Sequence, residues 1–173
     1  MLHLVLELSQ HTAWLWLADL PLLLLSGVAL WRWWPRGAMP GLLRVLFIGQ
    51  AWLPVSLALY VVQSLVELLG NQMILGRGPA HALFIGLFGS LLVAMVTRVT
   101  QGHSGRPLQM NPIAWFAFIA IQVVAVMRVT AEIMPDAGAW QAVSAIAWLL
   151  ALSPWVARIG RIYLLPRQDG RDG

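Results

Sequence analysis

PAHALFIGLFGSLLVAMVTRVTQ, residues 79–101, is a nearly unbroken apolar run of the length that crosses the hydrocarbon core of a membrane as a helix. Lipid offers no partner for unpaired backbone groups, and a helix satisfies these groups within one segment. Four similar runs cover residues 13–34, 43–69, 113–134 and 139–164. The pattern predicts an all-α, polytopic transmembrane helix bundle of about five helices, in a single domain over residues 1–173.

The composition also indicates a lipid environment. Of the 173 residues, 60% are hydrophobic and 10% are charged, whereas soluble domains carry roughly 25% charged residues. The formal net charge is +4, but all eleven basic residues are arginines that mostly flank the apolar runs, which is typical of membrane topology and not of a nucleic-acid surface. The chain has no cysteine, so disulfides, thiolate metal sites and cysteine nucleophiles are excluded.

The distribution of arginines predicts the orientation of the bundle. Nine of the eleven flank the first connector, the third connector or the tail: Arg32, Arg36, Arg44, Arg98, Arg106, Arg158, Arg161, Arg167 and Arg171. Only Arg77 and Arg128 lie on the other side. The positive-inside rule therefore predicts an outer N-terminus and a cytoplasmic C-terminus in a bacterial-type inner membrane. The N-terminal MLHLVLELSQH lacks the basic region of a signal peptide, so we expect no cleaved targeting segment.

The third predicted helix carries small residues at every fourth position, which favours the close approach of a neighbouring helix in lipid. These residues are Ala82, Gly86, Ser90 and Ala94. The following GHSGRP segment predicts a compact turn, with Gly102 as a left-handed cap and Pro107 preventing the helix from resuming. This turn brings His103 and Arg106 to the inner interface, near Arg98, either as interfacial anchors or as binding residues.

Histidines lie at both ends of the third predicted helix. His81 and His103 are 22 positions apart, which at about 1.5 Å per residue is roughly 33 Å, so they cannot share one metal ion. Neutral imidazole is a common ligand of haem iron and copper, although a membrane histidine is also often a hydrogen-bonded interfacial residue. If both are ligands, they serve two centres. His11 and His81 would supply two axial ligands to an outer centre, while His103 would need Met110, a water or another subunit.

Two segments resemble a known family. The run HALFIGLFGSLLVAMVTRVTQGHSGRPL, residues 81–108, resembles the NnrS signature, in which a HALxxGxxG helix leads into MxxRVxLGHTGRPL. The tail PRQDGRDG resembles that family's ending, PRPDGRPG. Ser104 stands where the family has threonine, and Gln101 where it has leucine. The resemblance marks His81, Arg98, Gly102, His103, Gly105, Arg106 and Pro107.

This resemblance implies a haem- and copper-containing membrane protein linked to denitrification and nitric oxide tolerance. It implies that His81 and His103 are metal ligands or their close neighbours, and that Arg98 and Arg106 pair with haem propionates or anionic lipid. Typical members also have an N-terminal set of helices with a WHAHEMLFG-like motif, which this sequence lacks. The chain would then be a separately encoded C-terminal half, a short branch of the family or a truncated reading frame. Ligands of the missing half would come from a second subunit or from a second copy in a homo-oligomer.

Several polar residues fall inside the predicted helices. Asp19, Arg128 and Glu132 lie toward the outer side, where an unpaired ionisable group costs several kcal/mol. The spacing of Arg128 and Glu132 predicts an ion pair on one helix face. Asp19 either joins this pair or accepts a proton near an outer cofactor. Gln50 and Gln122 lie nearer mid-membrane and are expected to hydrogen-bond between helices.

The sequence leaves more than one function class open. The first is an NnrS-like, haem-binding membrane protein. The alternative is a non-redox membrane component, such as a half-transporter or assembly partner, whose GHSGRP loop docks another subunit, and a third is a non-functional remnant. The sequence contains no GxxxxGK[ST], GxSxG or HExxH motif, so phosphate hydrolysis, serine hydrolysis and zinc proteolysis lack a supporting pattern.

Overall fold

The computed structural model describes residues 1–70 and 72–170. Every regular element in this part of the chain is helical. The α-helices are α1 (Leu2–Leu8), α2 (Trp16–Trp33), α3 (Gly41–Gln50), α4 (Trp52–Leu68), α5 (Gly78–His81), α6 (Ser90–His103), α7 (Pro112–Thr130) and α8 (Ala137–Tyr163). Two 3-10 turns, Thr12–Trp14 and Ala131–Ile133, and a π-helical segment, Ala82–Gly89, complete the set.

These elements join into five helical segments that are long and apolar enough to cross a membrane. In chain order, spans 1 to 5 are Thr12–Trp33, Gly41–Leu68, Gly78–His103, Pro112–Ile133 and Ala137–Tyr163. The predicted all-α fold with five membrane helices is confirmed. The surface of the bundle is apolar, with exposed side chains such as Leu25, Phe84 and Leu150. Lipid, and not water, is the solvent that suits such a surface.

The core lies among spans 2 to 5, and span 1 packs along span 2. Its largest fully buried apolar side chains include Phe118 and Ile121 of span 4, which meet Val45 of span 2 and Val93 of span 3. Trp155 brings span 5 to this cluster, and its Nε1 donates a hydrogen bond of 2.8 Å to the Thr97 hydroxyl. The indole is thereby buried without leaving its N–H unpaired.

The four small residues of the stripe in span 3, Ala82, Gly86, Ser90 and Ala94, are all buried, as expected for a close helix contact. A Cβ atom on Gly86 would lie only 2.3 Å from the indole ring of Trp52, and one on Gly49 would lie 2.7 Å from Cβ of Ser90. Spans 2 and 3 therefore touch where only small side chains fit. The intervening backbone differs from the continuous α-helix predicted, because Ala82–Gly89 forms π-helical turns. Such turns are rare and often lie at functional sites, and this one begins directly after His81.

A polar network crosses the middle of the bundle. Trp52 Nε1 donates to Oε1 of Gln122 at 2.6 Å, and Gln122 Nε2 donates to the Ser90 hydroxyl at 2.7 Å and to the Phe118 carbonyl at 3.1 Å. One glutamine thus joins spans 2, 3 and 4, which confirms its expected role between helices. Gln50 lines an apolar groove between spans 1 and 2.

The orientation of the bundle can be tested with single cysteines, because the chain has none of its own. Gln72 is exposed in the connector before span 3, and Gly37 is exposed in the connector before span 2. If the N-terminus is outside, an impermeant maleimide should label Gln72→Cys in intact cells and label Gly37→Cys only after the membrane is opened. Labelling of Gly37→Cys alone in intact cells would reverse the predicted orientation.

Candidate functional site

His81 lies at the end of the bundle that also holds the N-terminus, where span 3 begins. It is the last residue of α5, and the π-helical segment follows it. Its Nδ1 is buried and makes no hydrogen bond, since the nearest carboxylate oxygen, Oε1 of Glu132, is 3.9 Å away. The imidazole therefore keeps unused ligating capacity.

A cavity of about 570 Å³ opens beside His81, between spans 3, 4 and 5. Its volume lies within the range of small-molecule sites, roughly 300 to 1,000 Å³. The lining is mostly apolar and aromatic, from Phe84, Ile85, Ala145, Trp148 and Leu149. Its four polar side chains are His81, Arg128, Gln141 and Ser144. Such a lining suits an amphiphilic ligand with an apolar body and a charged or polar edge.

Arg128 and Glu132 do not form the predicted ion pair. The four-residue spacing requires a continuous α-helix, but α7 ends at Thr130 and Glu132 lies in a 3-10 turn. The Glu132 carboxylate instead lies against Gly76, whose added Cβ would come within 2.5 Å of Oε2. Arg128 lines the cavity, and its buried Nη1 has no hydrogen-bond partner. The cavity therefore contains a cationic group that no neighbouring acid neutralises directly.

Asp19 does not join Arg128 and Glu132. It is fully buried in span 1, and its Oδ1 lies 2.6 Å from Nδ1 of His3 in α1. Sequence reasoning gave His3 no role, and the only local signal was the four-residue spacing of His3 and Glu7 on one helix face. The contact with Asp19 joins residues 16 apart, which no local spacing rule connects.

His11, the predicted companion of His81, is exposed at the N-terminal end of span 1. Its Nδ1 lies 3.1 Å from the Ser9 hydroxyl. None of the contacts found in residues 1–70 and 72–170 joins His11 to His81. A shared centre with two axial imidazoles therefore stays a prediction.

The GHSGRP loop at the other end of span 3 is a tight turn, but its cap differs from the prediction. Helix α6 continues through Gly102 to His103, and the left-handed residue is Gly105, with φ +68°. The amide of Arg106 donates to the Gln101 carbonyl at 2.9 Å, and that of Gly105 to the Gly102 carbonyl at 3.4 Å. This pair of bonds is the Schellman motif, so Gly105 is the capping glycine and Gly102 is an ordinary helical residue.

The C-terminal tail folds onto this loop. The Gln168 amide donates to the Ser104 carbonyl at 3.0 Å, and the Asp169 side chain lies against Gly105. Arg167 pairs with Asp169 through two hydrogen bonds, of 2.9 and 2.6 Å, and the carboxylate raises the pKa of the Arg167 guanidinium. The two sequence segments that carry the family resemblance thus form one structural unit, although Arg171 falls outside the described residues.

The other predicted binding residues of this end lie near the loop. His103 is the last residue of α6 and is exposed, as is Arg98 in the preceding turns. Arg106 follows the capping glycine and has a buried Nη1 without a hydrogen-bond partner. Pro107 follows in the chain and, as predicted, no helix resumes until Pro112. Met110 packs at Gly41, beside the core.

The structure thus places the predicted ligands at opposite ends of span 3. In the part of the chain it describes, no three histidine, aspartate or glutamate side chains form a group that could hold a metal ion. No curated protein and no solved structure matches this sequence. The family whose sequence model matches is described as NnrS protein, and the match covers residues 1–167. Because this is nearly the whole chain, the protein belongs to the NnrS family.

Proposed function

We propose that this membrane protein of the NnrS family binds haem in the cavity beside His81 and acts in nitric oxide tolerance in a bacterial-type inner membrane. The observation that carries the proposal is the His81 imidazole at the wall of a cavity of about 570 Å³, with a buried Nδ1 that has no hydrogen-bond partner. A buried polar atom without a partner is costly, and a ligand on Nε2 that brings Nδ1 and Glu132 together would remove this cost. When bound, haem would supply an iron that takes up nitric oxide.

The cavity lining fits the two chemical parts of haem. Phe84, Trp148 and Leu149 offer apolar surface to the macrocycle, while Arg128 offers a guanidinium to a propionate. Glu132 is the acidic group nearest to Nδ1 of His81, at 3.9 Å. If the Glu132 carboxylate moved slightly closer to His81, it would accept a hydrogen bond from Nδ1–H and orient the ring. Nε2 would then be the ligating nitrogen.

The donor set favours haem over copper. A haem needs only one or two axial ligands from the protein, so His81 alone is sufficient. A copper centre takes several protein donors, and residues 1–70 and 72–170 contain no group of three histidines or acids that could supply them. The second centre implied at His103, with Arg98 and Arg106 binding propionates or anionic lipid, stays a prediction.

The alternative, a non-redox component that docks a partner through GHSGRP, has less support. That loop already binds the tail of its own chain through Ser104 and Gly105. A partner would have to displace or extend this contact.

An absorption spectrum tests the proposal. Protein purified after haem-replete expression should show a Soret band that His81→Ala removes and that Arg128→Gln weakens, since the propionate loses its cation. His11→Ala tests the predicted second axial ligand: an unchanged band would place His11, whose Nδ1 lies 3.1 Å from the Ser9 hydroxyl, outside this centre. Loss of part of the Soret band in His103→Ala would indicate a second haem at the predicted His103 centre.

Two results would contradict haem binding at His81. One is a wild-type protein without a Soret band, and the other is a band of full intensity in His81→Ala. The role in tolerance is tested separately by growth under nitric oxide, where cells carrying His81→Ala should be as sensitive as cells without the gene. Equal tolerance of wild type and His81→Ala would exclude that role for the site.

A further inference from the structure

A second buried ionisable group, Asp19, lies apart from the His81 cavity. It is 0% exposed, and only Oδ1 has a hydrogen-bond partner, Nδ1 of His3 at 2.6 Å. Its Oδ2 is buried and unpartnered, as is Nε1 of Trp16 one turn earlier in the same span. A carboxylate at this depth is costly, so its retention calls for a function.

His3 connects Asp19 to the surface. Its other ring nitrogen, Nε2, lies 3.5 Å from Oε2 of Glu7, whose side chain is 50% exposed. The exposure of the side chain falls from 50% at Glu7 to 26% at His3 and about zero at Asp19. The three groups form a carboxylate, imidazole, carboxylate chain that runs from the exposed side of α1 into span 1.

The arrangement does not fit a metal site. Both carboxylates contact the same imidazole, but through different nitrogens. Nitrogens on opposite sides of the ring direct the two acids away from a common point, whereas metal ligands must converge on one ion. An imidazole with a carboxylate within 3.5 Å of each ring nitrogen is instead the geometry of a proton shuttle.

We infer that Glu7, His3 and Asp19 form a proton-transfer path between the aqueous phase on the N-terminal side and the buried carboxylate of Asp19. The inference does not rest on haem binding. The other groups around His3 agree with this role. Tyr60 of span 2 packs its ring edge-on against the imidazole, with centroids 4.9 Å apart, and holds it between the two acids.

The transfer conserves charge at each step. Glu7 in its acid form gives its proton to Nε2 of His3, while Nδ1 of His3 gives its proton to Oδ1 of Asp19. Glu7 becomes a carboxylate, the imidazole changes tautomer, and Asp19 becomes neutral. Water reprotonates Glu7. The reverse sequence returns the proton and restores the first tautomer, so Asp19 exchanges protons with the bulk.

Within residues 1–70 and 72–170, three titratable groups are found against His3. They are Glu7 on its own helix, Asp19 on span 1 and Tyr60 on span 2. Glu67, also on span 2, is engaged with the Thr12 hydroxyl at 2.7 Å and has no bond to His3. It serves as a matched acidic control at the same end of the bundle.

Infrared spectroscopy of the full chain in lipid nanodiscs tests the inference. The carboxyl band absent from Asp19→Asn identifies Asp19, and a pH jump then measures its protonation rate. His3→Ala should slow this rate on the order of 100-fold, the lower range for loss of an acid-base group. Glu7→Gln should slow it less, because water still reaches His3, and Glu67→Gln should leave it unchanged.

Chemical rescue separates proton transfer from a structural role. Free imidazole should restore the rate in His3→Ala in proportion to its concentration, whereas a merely structural histidine would give no such dependence. Unchanged rates in a folded His3→Ala protein would overturn the inference. So would an Asp19 band that does not respond to pH over the whole range in which the protein stays folded, or a rescue that fails.

Discussion

Alanine at Gly86 is expected to destabilise the bundle by about 3 kcal/mol, the upper end of the usual cost of overpacking a core. The added Cβ would lie 2.3 Å from Cδ2 of Trp52 and 2.5 Å from Cγ, far inside van der Waals contact. The indole cannot simply rotate away, because its Nε1 donates to Gln122, which in turn donates to Ser90. Relief therefore requires either separation of spans 2 and 3 or loss of the mid-membrane network.

Thermal or denaturant unfolding in detergent measures this effect. Gly27→Ala in span 1 is the matched control, since a Cβ there meets nothing within 4 Å. Alanine is the better helix former by up to about 1 kcal/mol, so Gly27→Ala should be neutral or slightly stabilising. Equal stability of the two variants would show that Trp52 does not pack on Gly86.

A second variant tests whether the loss of stability in Gly86→Ala comes from the clash with the Trp52 indole ring. With Trp52→Leu, the ring that the new methyl group would meet is gone, so Gly86→Ala should cost much less in that background. The difference between the two costs is the interaction energy of a double-mutant cycle. A cost that is the same in both backgrounds would place the strain elsewhere, for instance in the π-helical turns.

The fold was predictable because lipid imposes it. Long apolar runs separated by Gly and Pro predict a bundle of transmembrane helices. The five spans of the structure coincide with these runs. The four-residue stripe from Ala82 to Ala94 also indicated the close contact of span 3 correctly. The π-helical turns did not follow from the sequence, because a π-helix has no pattern of its own and depends on tertiary packing.

The site was only partly predictable. His81 and Arg128 were singled out, but the cavity between spans 3, 4 and 5 is a property of packing that no spacing rule encodes. The predicted Arg128 to Glu132 pair assumed that α7 continues, and the helix ends before Glu132. The contact between His3 and Asp19 depends on how α1 folds back over span 1. Because the two residues are 16 positions apart, no spacing rule predicts it.

Alanine at Gly105 is expected to release the C-terminal tail. At φ +68°, an L-residue with a Cβ costs about 1 to 2 kcal/mol, and here the new Cβ would also lie 2.7 Å from Cγ of Asp169. The clash with Asp169 is relieved when the tail leaves the loop, whereas the backbone cost belongs to the helix cap and is the same in both states. Overpacking costs about 1 to 3 kcal/mol, and 1.4 kcal/mol is tenfold in an equilibrium constant, so a clash of about 2 kcal/mol should make the open state roughly 30-fold more populated.

Trypsin measures that population. Cleavage after Arg167 requires the tail to detach, because the scissile amide is the one that Gln168 donates to the Ser104 carbonyl, and cleavage tracks the open population when closing is fast. Gly102→Ala is the matched control, since its Cβ meets only Leu108, at 3.8 Å, in ordinary helical backbone. If Gly102 were the cap, as the sequence predicted, Gly102→Ala would be cleaved faster than Gly105→Ala. Faster cleavage in Gly105→Ala alone identifies Gly105 as the residue that joins the loop and the tail.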